Sequence, residues 1–350
     1  MPSISIVVPV HNGGELFRDC LASLEKAAST FDELIVVADG DTDGSWRLAE
    51  PQGAKIIRLP ETGGPARARN RGAQTAQGDI LFFVDADVCI SSKAVKRIAD
   101  TFERDSNLAA LIGSYDDAPG ASNFLSQYRN LLHHYTHQTA CAEASTFWGA
   151  CGAIRRDVFM AIGGFDESYR RPSIEDIELG YRLKSHGYRI RLDKHIQVKH
   201  LKRWQAGSML KADFFYRALP WTELILRERG LINDLNLKTS SRISVVLAYA
   251  SILLLVASLI STFSTQINSL LLTMACLMVV TTLLSINLPI YRFFWRKRGK
   301  YFAAKVVPWH CLYYLYSGLA FAVGWLRYRT RFISRLRPTA SLKIFSKLRY

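Results

Sequence analysis

Residues Ile80–Ile90 read ILFFVDADVCI, an apolar run from Ile80 to Val84 that stops at two carboxylates, Asp85 and Asp87, on either side of Ala86. An uninterrupted apolar run of this kind marks a strand covered on both faces, as in the parallel sheets of α/β domains. Open sheets of that class bind ligands beyond the carboxyl ends of their strands, and the two acids fall at such an end. Like charges placed there favour a cation. Hard oxygen donors two residues apart suit Mg²⁺ or Mn²⁺, which keep waters and take further oxygens from a diphosphate. The competing reading is an acidic turn after a buried strand, so the flanking sequence has to choose.

Upstream, the same strand-and-loop pattern recurs. Ile4 to Val10 is a buried strand that ends around Pro9 in the turn residues His11, Asn12, Gly13 and Gly14. A helix is predicted over 15–28, with Leu16, Cys20, Leu24 and Ala27 on one stripe. Leu34 to Ala38 is a second strand running into ADGDTDGS (Ala38 to Ser45), and Ala54 to Leu59 a third. GGPARARNRG (Gly63 to Gly72) then opens a helix, with Pro65 where a first-turn proline is tolerated. Strand alternating with helix predicts an α/β domain with a mainly parallel, doubly wound sheet. The Gly-rich turn after the second strand lets a ligand approach the backbone, and Asp39 can accept hydrogen bonds from a base or ribose; Asp and Gly are equally ordinary turn formers. Arg67, Arg69 and Arg71 alternate and so spread around their helix, and Arg69, beside Asn70, is the one expected to face the site.

The net charge of +15 is unevenly placed. All 30 Asp and Glu residues precede position 241, where as many Lys and Arg balance them, and the remaining 15 Lys and Arg follow with no acid. Because this basic half also holds long apolar runs, it fits anionic lipid better than nucleic acid. The six cysteines form no C-x-x-C pair, which suits a reduced, cytosol-facing protein without disulfides or structural zinc. MPSISIVVPV lacks a basic n-region and a long h-region, so a signal peptide is not expected there.

VVPVHN (Val7 to Asn12), the Ala38–Ser45 loop, GGPARARNRGA (Gly63 to Ala73), Asp85-Ala86-Asp87, the run from Gly149 to Glu167 with GACGAIRR and GGFDE, and the pair Glu175-Asp176 stand in one order. That order resembles the family 2 glycosyltransferases of GT-A fold, over roughly residues 4 to 203. The resemblance implies a Rossmann-like catalytic domain that binds a UDP- or GDP-linked sugar and Mn²⁺ or Mg²⁺. Carried across, Pro9 and Asp39 line or hold the nucleotide, Arg69 joins them, Asp85 and Asp87 bind ribose and the metal on the diphosphate, and Asp176 is the catalytic base. Ala38-Asp39-Gly40-Asp41 departs from the Asp-Asp-Gly-Ser of many members, which leaves uridine against guanosine open.

The second half is consistent with that assignment. Phe147 to Ile154, with Trp148, suits a wall against which sugar or acceptor lies, or a plain core strand. Glu175, Asp176 and Glu178 crowd the start of a helix over 174–186, where the dipole favours carboxylates; neighbouring acids also raise one another's pKa, which serves a general base. Glu175 is placed on the acceptor side. His200, in a late strand over 196–201, is a candidate third metal ligand beside Asp87 and Asp85. His200-x-x-Arg203-Trp204 imitates the Gln-x-x-Arg-Trp signature of processive synthases; Arg203 would neutralise the departing diphosphate and Trp204 face the acceptor. His133 and His137 share a helical face over 121–138 with no adjacent acid, a weak metal pattern.

After residue 203 come amphipathic stretches over 206–219 and 221–229, separated by Pro220, suited to the membrane interface. From Ile243 to Tyr291 none of the 49 residues is charged, about twice the roughly 20 that span a bilayer. Two crossings are expected at about 244–263 and 270–290, turning at Ser264 to Ser269. A third apolar segment, 306–326, reads as re-entrant or interfacial because of Pro308, His310 and its aromatics, and a basic tail follows over 327–350. The domains expected are thus 1–203 catalytic, 204–240 interfacial, 241–326 membrane and 327–350 tail, at the cytoplasmic membrane with the catalytic domain in the cytosol. The reaction expected is inverting and metal-dependent, onto a lipid-linked or membrane-proximal hydroxyl of a cell-envelope glycan or glycolipid. A polyprenyl-phosphate glycosyltransferase, a processive polysaccharide synthase and a non-catalytic membrane scaffold are the competing readings.

Overall fold

A computed structural model describes residues 1–228, 233–262 and 269–336; the expected turn at 264–269, save Ser269, and the tail beyond 336 lie outside the described residues. In chain order the first elements are β1 (Ile4–Val10), α1 (Gly14–Glu25), β2 (Glu33–Asp39), β3 (Lys55–Leu59), α2 (Pro65–Thr75), β4 (Ile80–Val84), the two-residue β5 (Val88–Cys89), α3 (Ser92–Arg104), β6 (Leu108–Tyr115) and α4 (Phe124–Gln138). Then come β7 (Cys151–Arg155), α5 (Arg156–Ala161), α6 (Glu175–Ser185) and β8 (Arg189–His200).

The sheet order is β3-β2-β1-β4-β7-β6-β8-β5. Its first half is parallel, as the strand–helix alternation predicts. The second half is mixed: β7 runs antiparallel to both β4 and β6, and β5 antiparallel to β8. A buried strand is apolar in either direction, so its sequence carries no signal for this reversal. Successive residues alternate between the faces. Ile6, Val8, Phe82 and Val84 pack under α1 and α3; Val7, Leu81 and Phe83 pack under α2 and α6, with Phe147, Phe159 and Phe165. Each such fully buried side chain contributes about 1.5–3 kcal/mol, which fixes the register that delivers Asp85 and Asp87 to the sheet edge.

Residues 206–228 are helical throughout: α7 (Ala206–Lys211), a π-helical segment (Ala212–Ala218) and α8 (Leu219–Glu228). Pro220 does not separate two helices: it follows the π-helical segment, and the Tyr216 carbonyl four residues back, which its missing N–H cannot serve, accepts from the Ser173 hydroxyl at 2.6 Å. Leu224 and Trp221 of α8 pack on Ile174, Ile177 and Tyr181 around α6.

The apolar region forms α9 (Thr239–Ser261), α10 (Ser269–Ile286), α11 (Leu288–Arg298) and α12 (Lys300–Leu336). α9, α10 and the Lys300–Thr330 portion of α12 are long and apolar enough to cross a membrane, by length and composition. The second apolar helix stops at Ile286 rather than 290, since Asn287 caps a new helix with Pro289 in its first turn. Asn287 also donates to Ser244 Oγ at 2.9 Å and accepts from the Tyr314 hydroxyl at 2.7 Å, tying α9, α11 and α12 together. α12 is one continuous helix through Pro308, so 306–326 is not a re-entrant hairpin. The basic end of α11 docks on the α/β domain: Lys297 pairs with Asp117, and Arg298 donates to Gln127 Oε1 and to the Asp117 carbonyl, both at 2.8 Å.

Candidate active site

The end of β4, the start of α6 and the end of β8 meet at one edge of the sheet, and Arg69 of α2 joins the first two. Its Nη2 donates to Asp85 Oδ1 at 2.7 Å and its Nη1 to Glu175 Oε1 at 2.9 Å, in a setting where Arg69 is 4% exposed. Gly149 makes the room: a Cβ there would lie 2.9 Å from the Arg69 Cζ. The N–H of the same glycine donates to Asp176 Oδ2 at 3.0 Å. One small residue therefore positions both the arginine and the acid.

Glu175 does not occupy the acceptor side. It is buried, with its second oxygen accepting from the Ser173 N–H at 2.9 Å, because the buried guanidinium of Arg69 needs a carboxylate partner more than the open cleft does. Asp176 remains partly open at the first turn of α6. Burial, and then the Glu175 charge, push its carboxyl up to about 6.

Asp87 meets His200 through the short β5–β8 pairing, in which Val88 faces His200 and the Leu201 N–H donates to the Asp87 carbonyl at 2.9 Å. His200 Nε2 lies 3.5 Å from Asp87 Oδ2, while its Nδ1 bonds Asn130 Oδ1 at 2.8 Å. The Nδ1 bond to Asn130 leaves Nε2 turned to the carboxylate. An imidazole nitrogen and a carboxylate oxygen so placed are a pair that a divalent cation can take. Among the described residues no group of three His, Cys, Asp or Glu closes a metal site. Asp85, expected as a ligand, is instead held by Arg69; two protein donors still suit an ion that completes its shell from water and a diphosphate.

Asp39 lies at the end of β2 and is 4% exposed, its oxygens accepting from the Gly63 and Gly64 N–H groups, each at 2.8 Å, and from the Thr62 hydroxyl at 3.0 Å. It holds the loop that opens α2. Pro9, half-buried near the end of β1, pairs with Val37 on the same sheet edge. Trp148 stands edge-on to Tyr115 at 4.8 Å and packs on His133 at 4.8 Å, and Tyr115 stacks on His200 at 4.5 Å. His133 and His137 lie with ring centroids 4.1 Å apart; the His137 Nδ1 bonds the Gly113 carbonyl at 3.0 Å, and burial pushes His137 down to about 4.

Arg203 is exposed, with no hydrogen bond or ion pair among the described residues. Trp204 is 5% exposed and packs with Tyr128, Leu131, Met209 and Phe294, its backbone N–H donating to Ser126 Oγ at 2.7 Å. The apolar interface of α4 with α11 and α12 takes it in, so its ring is closed off rather than open toward an acceptor. Sequence reasoning missed Tyr115, stacked on His200, and Asn130, bonded to it, at this site; nothing local marks them.

A half-parallel, half-mixed sheet with acids gathered past β4 and a carboxylate at α6 is the GT-A arrangement. Residues 5–163 match the model of glycosyl transferase family 2, and residues 130–205 that described as the N-terminal domain of galactosyltransferase. Residues 5–163 thus carry a family 2 glycosyltransferase region. It is 26% identical over 213 residues to the probable glycosyltransferase YdaM of Bacillus subtilis, covering 55% of this chain and 49% of YdaM. It is 23% identical over 239 residues to poly-beta-1,6-N-acetyl-D-glucosamine synthase of Staphylococcus aureus, covering 61% and 57%. The chain thus spans about half the length of these relatives. The mannosyltransferase PcManGT of Pyrobaculum calidifontis, solved with GDP-Man and Mn²⁺, shares the fold at a TM-score of 0.59 and 14% identity, covering 92% of this chain and 87% of that one.

Proposed function

We propose that this protein is an inverting glycosyltransferase that moves a sugar from a UDP- or GDP-linked donor to a hydroxyl on a lipid-linked or membrane-proximal acceptor. The Arg69 bridge between Asp85 and Glu175 carries this reading, since it sets the raised carboxyl of Asp176 beside the acids past β4. In a single displacement Asp176 accepts the proton of the attacking hydroxyl, and the new bond forms on the face opposite the leaving diphosphate. Asp87 and His200 are the residues to hold a divalent cation, which when bound supplies charge neutralisation at that diphosphate. Arg203, exposed and unpaired among the described residues, meets the same developing charge. Asp176, beside Arg69 and Glu175, is the raised carboxylate available as that base, which supports inversion.

Docking of α11 on Asp117 and Gln127 supports a hairpin of α9 and α10 whose two ends both lie on the catalytic, cytosolic side, as the positive-inside rule prefers. α12 meets α4 at Val306, Asp213 at Tyr316 and Thr222 at Gly324. It therefore stays against catalytic-side elements for about 27 Å of its length, which supports an interfacial course. A cysteine at Thr330 is expected to resist a membrane-impermeant thiol reagent added to intact cells; ready labelling there would establish a third crossing.

The central test is nucleotide release by the purified full chain from UDP- and GDP-sugars with Mn²⁺, with and without a membrane lipid extract. Release from one donor class, stimulated by the extract, is expected, and release from none under either condition favours the scaffold. Asp87→Asn is expected to weaken Mn²⁺-dependent nucleotide binding at least about tenfold, the scale of a charge-assisted contact. An unchanged affinity by calorimetry removes Asp87 from the site.

A further inference from the structure

On the side of the site facing α12, a second charged cluster goes unused by the reaction above. Asp213, in the π-helical segment, is 4% exposed and accepts from Arg129 at 2.9 Å, Arg217 at 3.0 Å and the Tyr316 hydroxyl of α12 at 2.7 Å. A further contact from Arg129 Nη2 to Asp213 Oδ1, at 2.7 Å, makes that pair bidentate. Two guanidiniums thus share one saturated carboxylate, and neither has another acidic partner among the described residues. One positive charge is left over, and Arg217, 40% open at its side chain, can offer it to an anion. Burial and the neighbouring Arg129 pull the Arg217 guanidinium below its ordinary value despite Asp213.

The arginine pair neighbours the reaction centre. Tyr115 and His133 lie within electrostatic reach of both arginines, and Tyr115 stacks on His200 beside Asp87. The His133 Nδ1 is buried without a partner. A clamp between α4 and α12 needs only one of the two arginines, and among the described residues Arg217 has besides Asp213 only the Trp204 ring, 5.8 Å from its Cζ. Both keep part of their surface open, 20% of the side chain for Arg129 and 40% for Arg217. Planar guanidinium forks match the oxygens of phosphate, and α12, which presents Leu312, Leu319 and Leu326 outward, brings this place to the bilayer.

We propose that Arg129 and Arg217, with Tyr316 beside them, bind the phosphate of a lipid headgroup, holding the acceptor lipid so that its hydroxyl-bearing part reaches Asp176. This rests on the reading of a membrane acceptor above and gives that acceptor its chemical class: a lipid carrying phosphate next to the group that is glycosylated. The donor diphosphate lies on the Asp87 side and does not need Arg217.

The test uses the full chain in micelles of an uncharged sugar detergent, titrated with farnesyl phosphate, farnesol and inorganic phosphate. Farnesyl phosphate is expected to bind at least about tenfold more tightly than either of the others, the scale of one charge-assisted hydrogen bond. Arg217→Gln, which leaves Arg129 on Asp213, is expected to lower that affinity about tenfold, with Arg217→Lys between it and the parent, and with melting temperature and Mn²⁺-nucleotide affinity unchanged. Farnesol binding as tightly as its phosphate overturns the proposal, as does Arg217→Gln with unchanged affinity. Inorganic phosphate binding equally well makes this a free-anion site and overturns the lipid reading. Should Arg217→Gln melt early, Arg217→Lys and the wild-type comparison of the three probes decide it. Absence of nucleotide release from every donor would instead defeat the underlying function while leaving lipid binding measurable.

Discussion

Asp176→Asn is expected to lower kcat at least about 100-fold while leaving donor affinity within about twofold, because it removes a base and keeps a shape. The asparagine still accepts from the Gly149 N–H through its carbonyl oxygen, as Asp176 does at 3.0 Å, so the start of α6 stays in place. What is lost is the capacity to take a proton. Burial first, then the Glu175 charge, set that capacity near the operating pH by raising the carboxyl to about 6. Only the ionised form is a base, so kcat/KM is expected to rise as pH climbs through about 6 and to level off above it. Stability moves in the opposite sense. A native pKa above the ordinary carboxylate value means that the folded state holds the proton more tightly, a stabilisation fully present at low pH and lost as pH rises through about 6. Above that pH, Asp176→Asn should therefore be no less stable than the parent. A pH profile without an acidic limb, or a mutant near the parent rate, would mean that the nucleophile arrives already ionised.

Arg69→Met is expected to cost about 3–5 kcal/mol of stability, the range for removing one partner of a buried ionic group. The arginine is 4% exposed and divides its fork between Asp85 and Glu175. Glu175, also 4% exposed, carries most of the loss, since a third of the Asp85 side chain is open and can rehydrate. Arg69→Lys is expected to recover less than half, because a single ammonium cannot span two carboxylates on different elements. Denaturant unfolding of the full chain in detergent measures both. A loss under about 1 kcal/mol for the methionine would show that the two acids do not depend on this bridge.

Much of the catalytic half was readable in one dimension. β1, β2 and β4 are apolar runs with turn residues after them, and burial of both faces is a local property that composition records. Asp85, Asp87 and Asp176 were legible for the same reason: they follow a strand end or open a helix, positions that short spacing defines. The stretch without charge from Ile243 to Tyr291 likewise announces apolar helices whatever surrounds them.

Partners were another matter. Glu175 and Asp176 are adjacent in the chain and look alike, yet one turns inward to Arg69 and the other stays open beside Gly149. Trp204, beside the exposed Arg203, is taken into the packing of α4 against α11 and α12. The direction of β7, the meeting of Asp87 with His200, and the gathering of Arg129, Asp213, Arg217 and Tyr316 join residues far apart in the chain. Hydrophobic periodicity and turn chemistry report whether a residue is buried and what its next few neighbours do. Which charge it meets across the core is set by packing of whole elements against one another, and only the tertiary structure decided that here.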